Sequence, residues 1–382
     1  MKFFHLSDLH IGLKLINRDL HDDQRHVLQQ VIDYAAEELP DAVVIAGDVY
    51  DKAIPSAEAV ELFDWFITEL NHAAADAAIM IISGNHDSAQ RVNVFRNVLG
   101  RQHIYMIGNP PEKNTDFIEQ VHLEDAYGRV NFYLLPFVKP SYIKEIVGTQ
   151  ENGNNLSYND SIHELIKREQ IDMSERNVLV SHQFYLPEGH HAEDMERMES
   201  EIVMVGNIDS VKGDILKQFD YAALGHIHKP TQIGDEFHRY CGTPLACSVS
   251  EAGQDKGIVM VEMNEKGSIS TKVLSLYPLH RVRIIEGTME EVLKQGCSDY
   301  VQIRLREDAH QNTVNYQTRI RAVFENCLNI EMEQNWKPNL KKSGTDREVM
   351  SAYDLCMSFL GDTIPEEEKE ILRQVINQNQ GG

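Results

Sequence analysis

Five short blocks of the sequence carry side chains that could bind metal ions, and each block follows an apolar run. The blocks are Asp8-Leu9-His10, Gly47-Asp48, Gly84-Asn85-His86-Asp87, His182 after Ser181, and Gly225-His226-Ile227-His228. Oxygen and imidazole donors without a thiolate suit Mn²⁺, Fe²⁺ or Zn²⁺, and the Asp and Asn content favours harder ions such as Mn²⁺. One such block is usually a helix cap or a surface pair, but five in this order predict a metal centre.

The elements that would position these blocks are alternating strands and helices. Continuous apolar runs at 2–7, 42–46 and 78–82 are typical of buried strands, and helical spacing of apolar residues marks 22–39 and 56–70. Side chains just beyond the carboxyl ends of parallel strands converge on one crevice. Five later apolar runs indicate strands covered on one face, and they lie at 130–135, 178–180, 221–224, 257–261 and 271–276. These patterns predict an α/β sandwich of two facing sheets flanked by helices.

Composition excludes several classes of protein. The chain has 382 residues, of which 42% are apolar and 25% charged, as in folded globular proteins with two or three domains. It contains no apolar run of the roughly 18 to 20 residues that a bilayer span needs, and its start lacks signal-peptide features, so we expect a cytoplasmic protein without a membrane partner. The five cysteines include no Cys-x-x-Cys pair, which argues against structural zinc and a disulfide framework.

The pattern resets after Tyr277, which predicts a second domain. Residues 278–336 alternate strand, helix, strand, helix and strand, whereas the preceding 1–277 would form the domain that carries the metal site. The remainder, 337–382, contains a polar linker and two helical segments at 347–360 and 365–377. The first of these segments is apolar around much of its circumference, so we expect it to pack against its own core or another chain.

The five blocks resemble the signature of the calcineurin-like metallophosphoesterases, and the match covers residues 1 to about 275. The resemblance implies a four-layer α/β/β/α sandwich, here followed by a small α+β capping domain and a C-terminal helical pair. It also implies a ligand set, in which one ion is held by Asp8, His10 and His228, the other by Asn85, His182 and His226, and Asp48 bridges them. A bridging carboxylate holds such ions about 3.5 to 4 Å apart.

Two residues beside the implied ligands receive roles in the reaction. His86 is absent from the ligand set and follows a ligand, so we expect it to act as a general acid or as a donor to the phosphate. Asp87 could orient that imidazole, or it could cap the helical segment that begins at Ser88, and the two roles can coexist.

Longer stretches resemble the SbcD-type branch of this family, the nuclease subunits of bacterial DNA-repair complexes. The stretches are 6–12, 46–51, 220–228 and 240–244. This resemblance implies Mn²⁺-dependent hydrolysis of DNA, as a 3′–5′ exonuclease on duplexes and an endonuclease on single strands and hairpins, in repair, replication and recombination. Many relatives carry a histidine where Asp51 stands, so any role of that histidine does not transfer.

The same resemblance implies partners. SbcD-type subunits dock through their C-terminal helices on an SbcC-type coiled-coil ATPase, and they commonly pair through helices near the start of the chain. We therefore expect a homodimer within a heterotetramer, with 22–39 and 56–70 as candidate contacts. The sequence contains no Gly-x-x-x-x-Gly-Lys-Ser/Thr loop, so ATP dependence would arise in another chain.

The net charge of −24 opposes non-specific attraction to DNA. Local basic residues of the second domain could contact backbone phosphates, or they could be solvated and paired with acids; they are Arg281, Arg283, Lys294, Arg304, Arg306, Arg319 and Arg321. Two alternatives to a nuclease therefore stay open. One is a small-molecule or cyclic-nucleotide phosphodiesterase whose second domain is a lid, and the other is a DNA-end tethering scaffold with structural metals.

Overall fold

The structure is a computed structural model that describes residues 1–151, 153–190, 201, 209–306, 315–332 and 369. The predicted linker and helical segments of 337–382 lie outside the described residues, apart from residue 369. The strands are β1 (Lys2–Leu6), β2 (Lys14–Leu15), β3 (Arg18–Asp19), β4 (Ala42–Ala46), β5 (Ala78–Ile82), β6 (Ile104–Ile107), β7 (Glu119–Asp125), β8 (Gly128–Leu135), β9 (Arg176–Ser181), β10 (Phe184–Leu186), β11 (Ser210–Lys212), β12 (Tyr221–Leu224), β13 (Thr231–Ile233), β14 (Asp235–Tyr240), β15 (Lys256–Met263), β16 (Ile269–Leu276), β17 (Val282–Gly287), β18 (Tyr300–Leu305) and β19 (Cys327–Met332). The α-helices are α1 (His21–Glu38), α2 (Ala57–Ala73), α3 (Ala89–Val92), α4 (Arg96–Leu99), α5 (Pro140–Val147), α6 (Tyr158–Lys167), α7 (Met289–Leu293) and α8 (Tyr316–Val323).

Two six-stranded sheets form the large domain. The first has the order β16-β15-β1-β4-β5-β6, in which β1, β4, β5 and β6 run parallel to one another. The second has the order β13-β14-β12-β9-β8-β7, with parallel pairing from β14 through β8. The parallel strands of both sheets bring the five metal-binding blocks of the sequence to strand ends.

The central strands of both sheets are buried on both faces, including the runs at 178–180 and 221–224 that the sequence predicted to be covered on one face, whereas the edge strands β7 and β16 are partly exposed. Along β1, Phe4 faces the helix layer of α1 and α2, whereas Phe3 faces the second sheet. The ring of Phe3 meets those of Phe132 and Tyr221 edge to face, at centroid distances of 5.4 and 5.5 Å. Helices α5 and α6 cover the other face of the second sheet. The predicted α/β/β/α sandwich is confirmed.

A separate three-stranded parallel sheet, β17-β18-β19, follows the sandwich. Its own core includes Ile285, Ile303, Ile320 and Phe324, with α7 and α8 packed on it. The order of strands and helices agrees with the predicted pattern, while the domain boundaries stay a prediction. We refer to residues 282–332 as the small domain.

The small domain packs on the sandwich through an apolar cluster that we call the junction. It joins side chains from α1 and the β2–β3 hairpin, from the segment before β15, and from the small domain; its buried members are Leu15, Leu20, Val27, Leu245, Val249, Val282, Tyr300 and Leu328. The junction fixes the small domain beside the carboxyl ends of the first sheet. Among the described residues, none of the helices combines the length and apolarity that a bilayer crossing requires.

Candidate metal centre

The five blocks meet in one place, at the carboxyl ends of β1, β4, β5, β9 and β12. Asp8 and Asp48 each lie two residues beyond a strand of the first sheet, and His182 and His226 follow strands of the second. The chain runs in the same direction in all five strands, so their ends point to a common crevice between the sheets.

Sharp backbone turns aim these side chains inward. Asp8, His10, Asp48 and His226 have positive φ angles of 52°, 43°, 50° and 105°. Such conformations cost non-glycine residues about 1 to 3 kcal/mol each, and they persist only where the surrounding structure enforces them. The strain therefore marks the crevice as a site whose side-chain directions the fold holds in place.

Glycine is required at one of these turns because the ligands crowd the backbone. Gly47 has φ of 87°, and a Cβ placed on it would lie 2.3 Å from Nδ1 of His182. Any side chain at this position would displace that imidazole. The Gly-Asp block is thus a packing requirement of the site as well as a source of the carboxylate.

One half of the centre contains Asp8, His10 and His228, and we call it the junction-side half. The Nε2 atoms of His10 and His228 lie 3.1 Å apart, and Asp8 offers a carboxylate oxygen within 4.8 Å of both rings' ligand atoms. The Asp8 carboxylate also accepts the hydroxyl of Ser7 and the main-chain N–H of His226, the latter at 3.0 Å. These donors orient the carboxylate toward the imidazoles.

The other half contains Asn85, His182 and His226, and we call it the core-side half. The Oδ1 atom of Asn85 lies 3.0 Å from Nε2 of His182 and 2.9 Å from Nδ1 of His226. His182 donates through Nδ1 to the carbonyl of Ala46 at 2.7 Å, so its Nε2 is the nitrogen that can bind a cation. A main-chain carbonyl of the sheet thus sets the tautomer of this ligand.

Asp48 lies between the two halves. Its Oδ2 atom is 3.3 Å from Nε2 of His182 and 3.8 Å from Nε2 of His10, and its Oδ1 accepts the main-chain N–H of His86 at 2.8 Å. This arrangement places one carboxylate within reach of both halves, as a bridging ligand requires.

Burial sets the protonation of these groups when no cation is present. Burial raises the pKa of Asp8 and lowers the pKa of His10 to about 3. Burial acts against the charge on His182 as well, but the Asp48 carboxylate outweighs it and raises the pKa of His182 to about 9. The same pair holds the pKa of Asp48 well below its usual range in spite of burial. A cation bound at Nε2 of His182 would therefore displace a proton.

The chemistry of the donors fits a pair of divalent cations. Nδ1 of His10 is buried with no hydrogen-bond partner among the described residues, while its Nε2 faces Nε2 of His228. Two imidazole nitrogens directed at each other beside buried carboxylates repel unless a proton or a cation lies between them. Asp8, His10 and His228 would hold one cation, Asn85, His182 and His226 the other, and Asp48 both.

His86 lies at the opening of the centre and is half-buried. Its Nδ1 atom is 2.9 Å from the main-chain carbonyl of Asp51, and its ring meets the ring of His10 edge to face, with centroids 4.9 Å apart. Donation from Nδ1 to this carbonyl leaves Nε2 for a substrate. Its role in catalysis stays a prediction.

Among the described contacts, Asp87 has no hydrogen bond to His86 and its side chain does not cap α3, while its role in the reaction stays a prediction. Its carboxylate accepts the main-chain N–H groups of Val49, Tyr50 and Gly84 at 3.1, 3.0 and 2.9 Å, and burial raises its pKa to about 6. Because all three donors belong to the loops after β4 and β5, Asp87 ties these loops together. The predicted orientation of His86 comes instead from the Asp51 carbonyl, and the helix cap position belongs to Ser88.

Two buried residues that support the centre were missed by the sequence analysis. Gln24 of α1 donates to the carbonyl of His10 at 2.7 Å and accepts the N–H of Gly12 at 3.0 Å. Glu251 lies 3.4 Å from Nδ1 of His228. Gln24 had a detectable signal, since it is a polar residue at the helical spacing of the buried Val27 and Leu28. Glu251 had none, because its short turn has no pattern of its own.

A cleft of about 520 Å³ separates the β2–β3 hairpin from the small domain. Asp51 lines one side, next to His86, and Arg304 lines the other. Arg304 lies beside Glu286 and Glu331, at 3.0 and 3.3 Å. Two more of the seven basic residues of the second domain, Arg283 and Lys294, also lie beside acids. For Arg283, Lys294 and Arg304, the structure therefore supports the alternative that the side chains are solvated and paired.

Comparisons with known proteins agree with this geometry. A family model described as calcineurin-like phosphoesterase matches residues 1–230. The SbcD component of the SbcCD nuclease of Staphylococcus epidermidis is 29% identical over 335 residues, which are 86% of this chain and 84% of that protein.

Two solved structures are more distant. GAP50, an anchor in the inner membrane complex of Plasmodium, is 12% identical, with a TM-score of 0.41 over 86% of this chain and 96% of its own. A dimetal phosphatase from Danio rerio is 13% identical, with a TM-score of 0.39 over 73% of this chain and 99% of its own.

Proposed function

The chain belongs to the calcineurin-like phosphoesterase family, and from this premise we propose that it is the nuclease subunit of an SbcCD-type complex that hydrolyses DNA phosphodiesters. The observation that carries the proposal is the position of Asp48, whose Oδ2 lies 3.3 Å from Nε2 of His182 and 3.8 Å from Nε2 of His10, with the imidazole of His86 beside it. The similarity to the staphylococcal nuclease component over most of both chains supports DNA as the substrate.

In the proposed reaction, the bound cations and residues of this chain would act together on the phosphate. When bound, two divalent cations would neutralise the phosphate and lower the pKa of a water toward 7. We propose Mn²⁺ for both positions because three of the seven donor residues offer oxygen and none offers a thiolate. Asp48 would keep the two positions adjacent, and the N–H of His86 would fix the direction of that carboxylate.

His86 would act on the phosphate or on the leaving oxygen. Its imidazole stands at the opening of the centre, and the Asp51 carbonyl holds Nδ1 so that Nε2 can meet the substrate. A histidine in this position can donate a proton to the departing alkoxide, a contribution of typically 10²- to 10⁴-fold in rate.

The cleft between Asp51 and Arg304 offers a path for DNA. It opens beside His86 and is bounded by the small domain, which we propose as the capping and DNA-recognition domain within residues 278–336. Its paired arginines could exchange carboxylate partners for phosphates, since bidentate Arg–phosphate contacts use the same geometry. Residues 1–277 would form the nuclease domain.

The finer activities and partners follow the SbcD-type resemblance. We propose 3′–5′ exonuclease activity on duplex ends and endonuclease activity on single strands and hairpins, in repair, replication and recombination. Residues 337–382 would dock on an SbcC-type coiled-coil ATPase, and α1 and α2 would contribute to a homodimer within a heterotetramer. Such a complex would act on cytoplasmic DNA.

One observation favours a second candidate, a small-molecule or cyclic-nucleotide phosphodiesterase. The chain is strongly acidic, and Arg283, Lys294 and Arg304 already lie beside carboxylates. Such a surface attracts a long polyanion weakly. For this candidate the small domain would act as a lid over a small substrate.

An assay on three substrates separates these candidates. Purified protein with Mn²⁺ is given linear duplex DNA, a DNA hairpin and an aryl phosphodiester. DNA cleavage that His86→Ala lowers at least about a hundredfold, with Mn²⁺ binding retained, supports the nuclease. Ester turnover without DNA cleavage supports the small-molecule enzyme, and Mn²⁺ binding without either activity supports the tethering scaffold.

A further inference from the structure

The two halves of the metal centre are supported from different directions. We infer that the small domain adjusts the cation affinity of the junction-side half, through Gln24 and Glu251, and affects the core-side half less. This inference rests on the proposed two-cation centre and adds to it a dependence on the position of the small domain.

Glu251 is the carboxylate partner of His228. Its Oε1 lies 3.4 Å from Nδ1 of the imidazole, and its Oε2 accepts Lys256 at 2.6 Å and the Thr243 hydroxyl at 3.0 Å. The side chain of Glu251 is fully buried. A carboxylate that accepts Nδ1–H fixes the ring and makes Nε2 a better ligand, and losing such a partner typically costs 10- to 100-fold in metal affinity.

The turn that carries Glu251 is part of the junction. Glu251 ends a short 3-10 turn that begins at Val249, and Val249 packs in the same cluster as Val282 and Leu328 of the small domain. A shift of the small domain would therefore move the turn and, with it, the carboxylate that holds His228.

Gln24 provides a second connection, on the opposite side of the junction-side half. It holds the main chain of the loop that carries His10, with a bond of 2.7 Å to the His10 carbonyl. The preceding residue, Asp23, is buried, and its carboxylate accepts a hydrogen bond from the Tyr300 hydroxyl at 3.0 Å. The same carboxylate contacts the main-chain N–H and the Nδ1 atom of His280. The first turn of α1 therefore joins the small domain on one side and a ligand loop on the other.

The core-side half is held mainly by contacts within the sandwich. His182 is held by the carbonyl of Ala46 inside the first sheet, and Asn85 contacts His182 and His226. Ala46 lies in the core between the two sheets. Because these contacts lie inside the sandwich, this half should change less than the junction-side half when the junction is altered.

The test is a Mn²⁺ titration of the full chain followed by electron paramagnetic resonance, which distinguishes free, single and paired ions. We expect wild type to bind two ions. Tyr300→Phe removes one bond to Asp23 without touching a ligand, and it should weaken one of the two affinities about fivefold. Glu251→Gln should weaken the same step by about 10- to 100-fold.

A matched control uses another ion pair, in which the arginine is buried and the aspartate is partly exposed. Asp125→Asn breaks the pair of Asp125 with Arg176, which lies on strands of the second sheet away from the junction. It should lower the melting temperature and leave both Mn²⁺ affinities unchanged. If Glu251→Gln does not fold, the double variant Glu251→Gln, Lys256→Met removes both buried charges and is used in its place.

The outcomes are separable. Wild-type protein that binds no Mn²⁺ contradicts the proposed function itself. Wild-type protein that binds two ions, with both affinities weakened equally in Tyr300→Phe and Glu251→Gln, or neither weakened, overturns the inference while leaving the proposed function in place.

Discussion

The two halves of the metal centre use similar side chains, but different parts of the fold hold those side chains in position. In the core-side half, a carbonyl within β4 orients His182, and no other support is needed at its Nδ1. In the junction-side half, a buried glutamate on a short turn orients His228, and a glutamine on α1 holds the loop of His10. A main-chain carbonyl within a sheet is held by the hydrogen bonds between neighbouring strands. Side chains at the junction, by contrast, shift when the junction shifts.

On this inference, the junction-side half is the more adjustable of the two. Asp48 belongs to both halves, and Asp8 accepts the main-chain N–H of His226, so a change in the junction-side half reaches the core-side half through these two carboxylates. The half built on the sandwich would hold its cation first, and the half built on the junction second.

Removing the shared ligand should have the largest effect. Asp48→Ala takes one ligand from both halves, so we expect both Mn²⁺ affinities to fall and DNA hydrolysis to drop by about a thousandfold or more. Asp33→Ala, at an exposed position of α1, is the control and should retain full activity. Retention of a tightly bound ion pair in Asp48→Ala would contradict a bridging role.

One ligand substitution in each half tests whether the halves are separable. His10→Gln should abolish only the weaker binding step, whereas His182→Gln should weaken both steps, because the core-side half would hold its cation first. Each variant should reduce DNA hydrolysis by about a hundredfold or more, since both ions act on one phosphate. Calorimetric titration with Mn²⁺ gives the stoichiometry, and equal losses in the two variants would mean that the halves do not differ.

The core beneath the centre predicts a dependence of stability on pH. His5 of β1 contacts the Tyr221 hydroxyl and the Leu224 carbonyl of the other sheet, and burial lowers its pKa to about 3. In the unfolded chain the imidazole of His5 takes up a proton near pH 6.5, whereas in the folded protein it stays neutral. The contribution of His5 to the free energy of unfolding is therefore complete above pH 6.5 and is lost as the pH falls toward 3. Between pH 7 and pH 5 the loss is about 2 kcal/mol.

Urea unfolding of wild type and His5→Phe, in chelator at several pH values, measures this contribution. The variant should be less stable at pH 7, because it leaves two buried polar groups without a partner. The gap between wild type and variant should narrow as the pH falls from 7 to 5. A constant gap would show that His5 has the same pKa in the folded and unfolded chains, which would contradict the prediction.

The smallest effect is expected in the cleft of the small domain. Arg304→Ala leaves Glu286 and Glu331 without their partner, which makes this wall of the cleft more acidic. We expect KM for duplex DNA to rise about fivefold at low salt. The slope of log KM against log salt concentration should fall by the amount that corresponds to about one lost phosphate contact. Turnover of an aryl phosphodiester should not change, and an equal loss on both substrates would place Arg304 in the chemistry instead.

Much of the fold was predictable because its signals are local. The buried runs of β1, β4 and β5 and the spacing of α1 and α2 agree with the structure to within a few residues. Helix α6 was missed, although Ser157 caps it and Ile162, Leu165 and Ile166 follow helical spacing. The β2–β3 hairpin was missed because each of its strands has only two residues, too few for a period to be seen.

The sequence by itself determined the kinds of donors and the order in which strand ends present them, because each block is read within a few residues of its own strand. Only the tertiary structure decided which donors share a half. Nε2 of His10 and Nε2 of His228 are 3.1 Å apart in space and 218 residues apart along the chain.

The tertiary structure likewise determined which residues hold the ligands in position. The helical spacing of Gln24 marks it as a buried polar residue but does not reveal that it holds the loop of His10, and the contact of Glu251 with His228 leaves no pattern in the chain. Asp87 illustrates the same limit, since its three donors come from loops that meet only after both strands have joined the sheet. Local patterns specify what a residue can do, and the packing of distant elements specifies what it contacts.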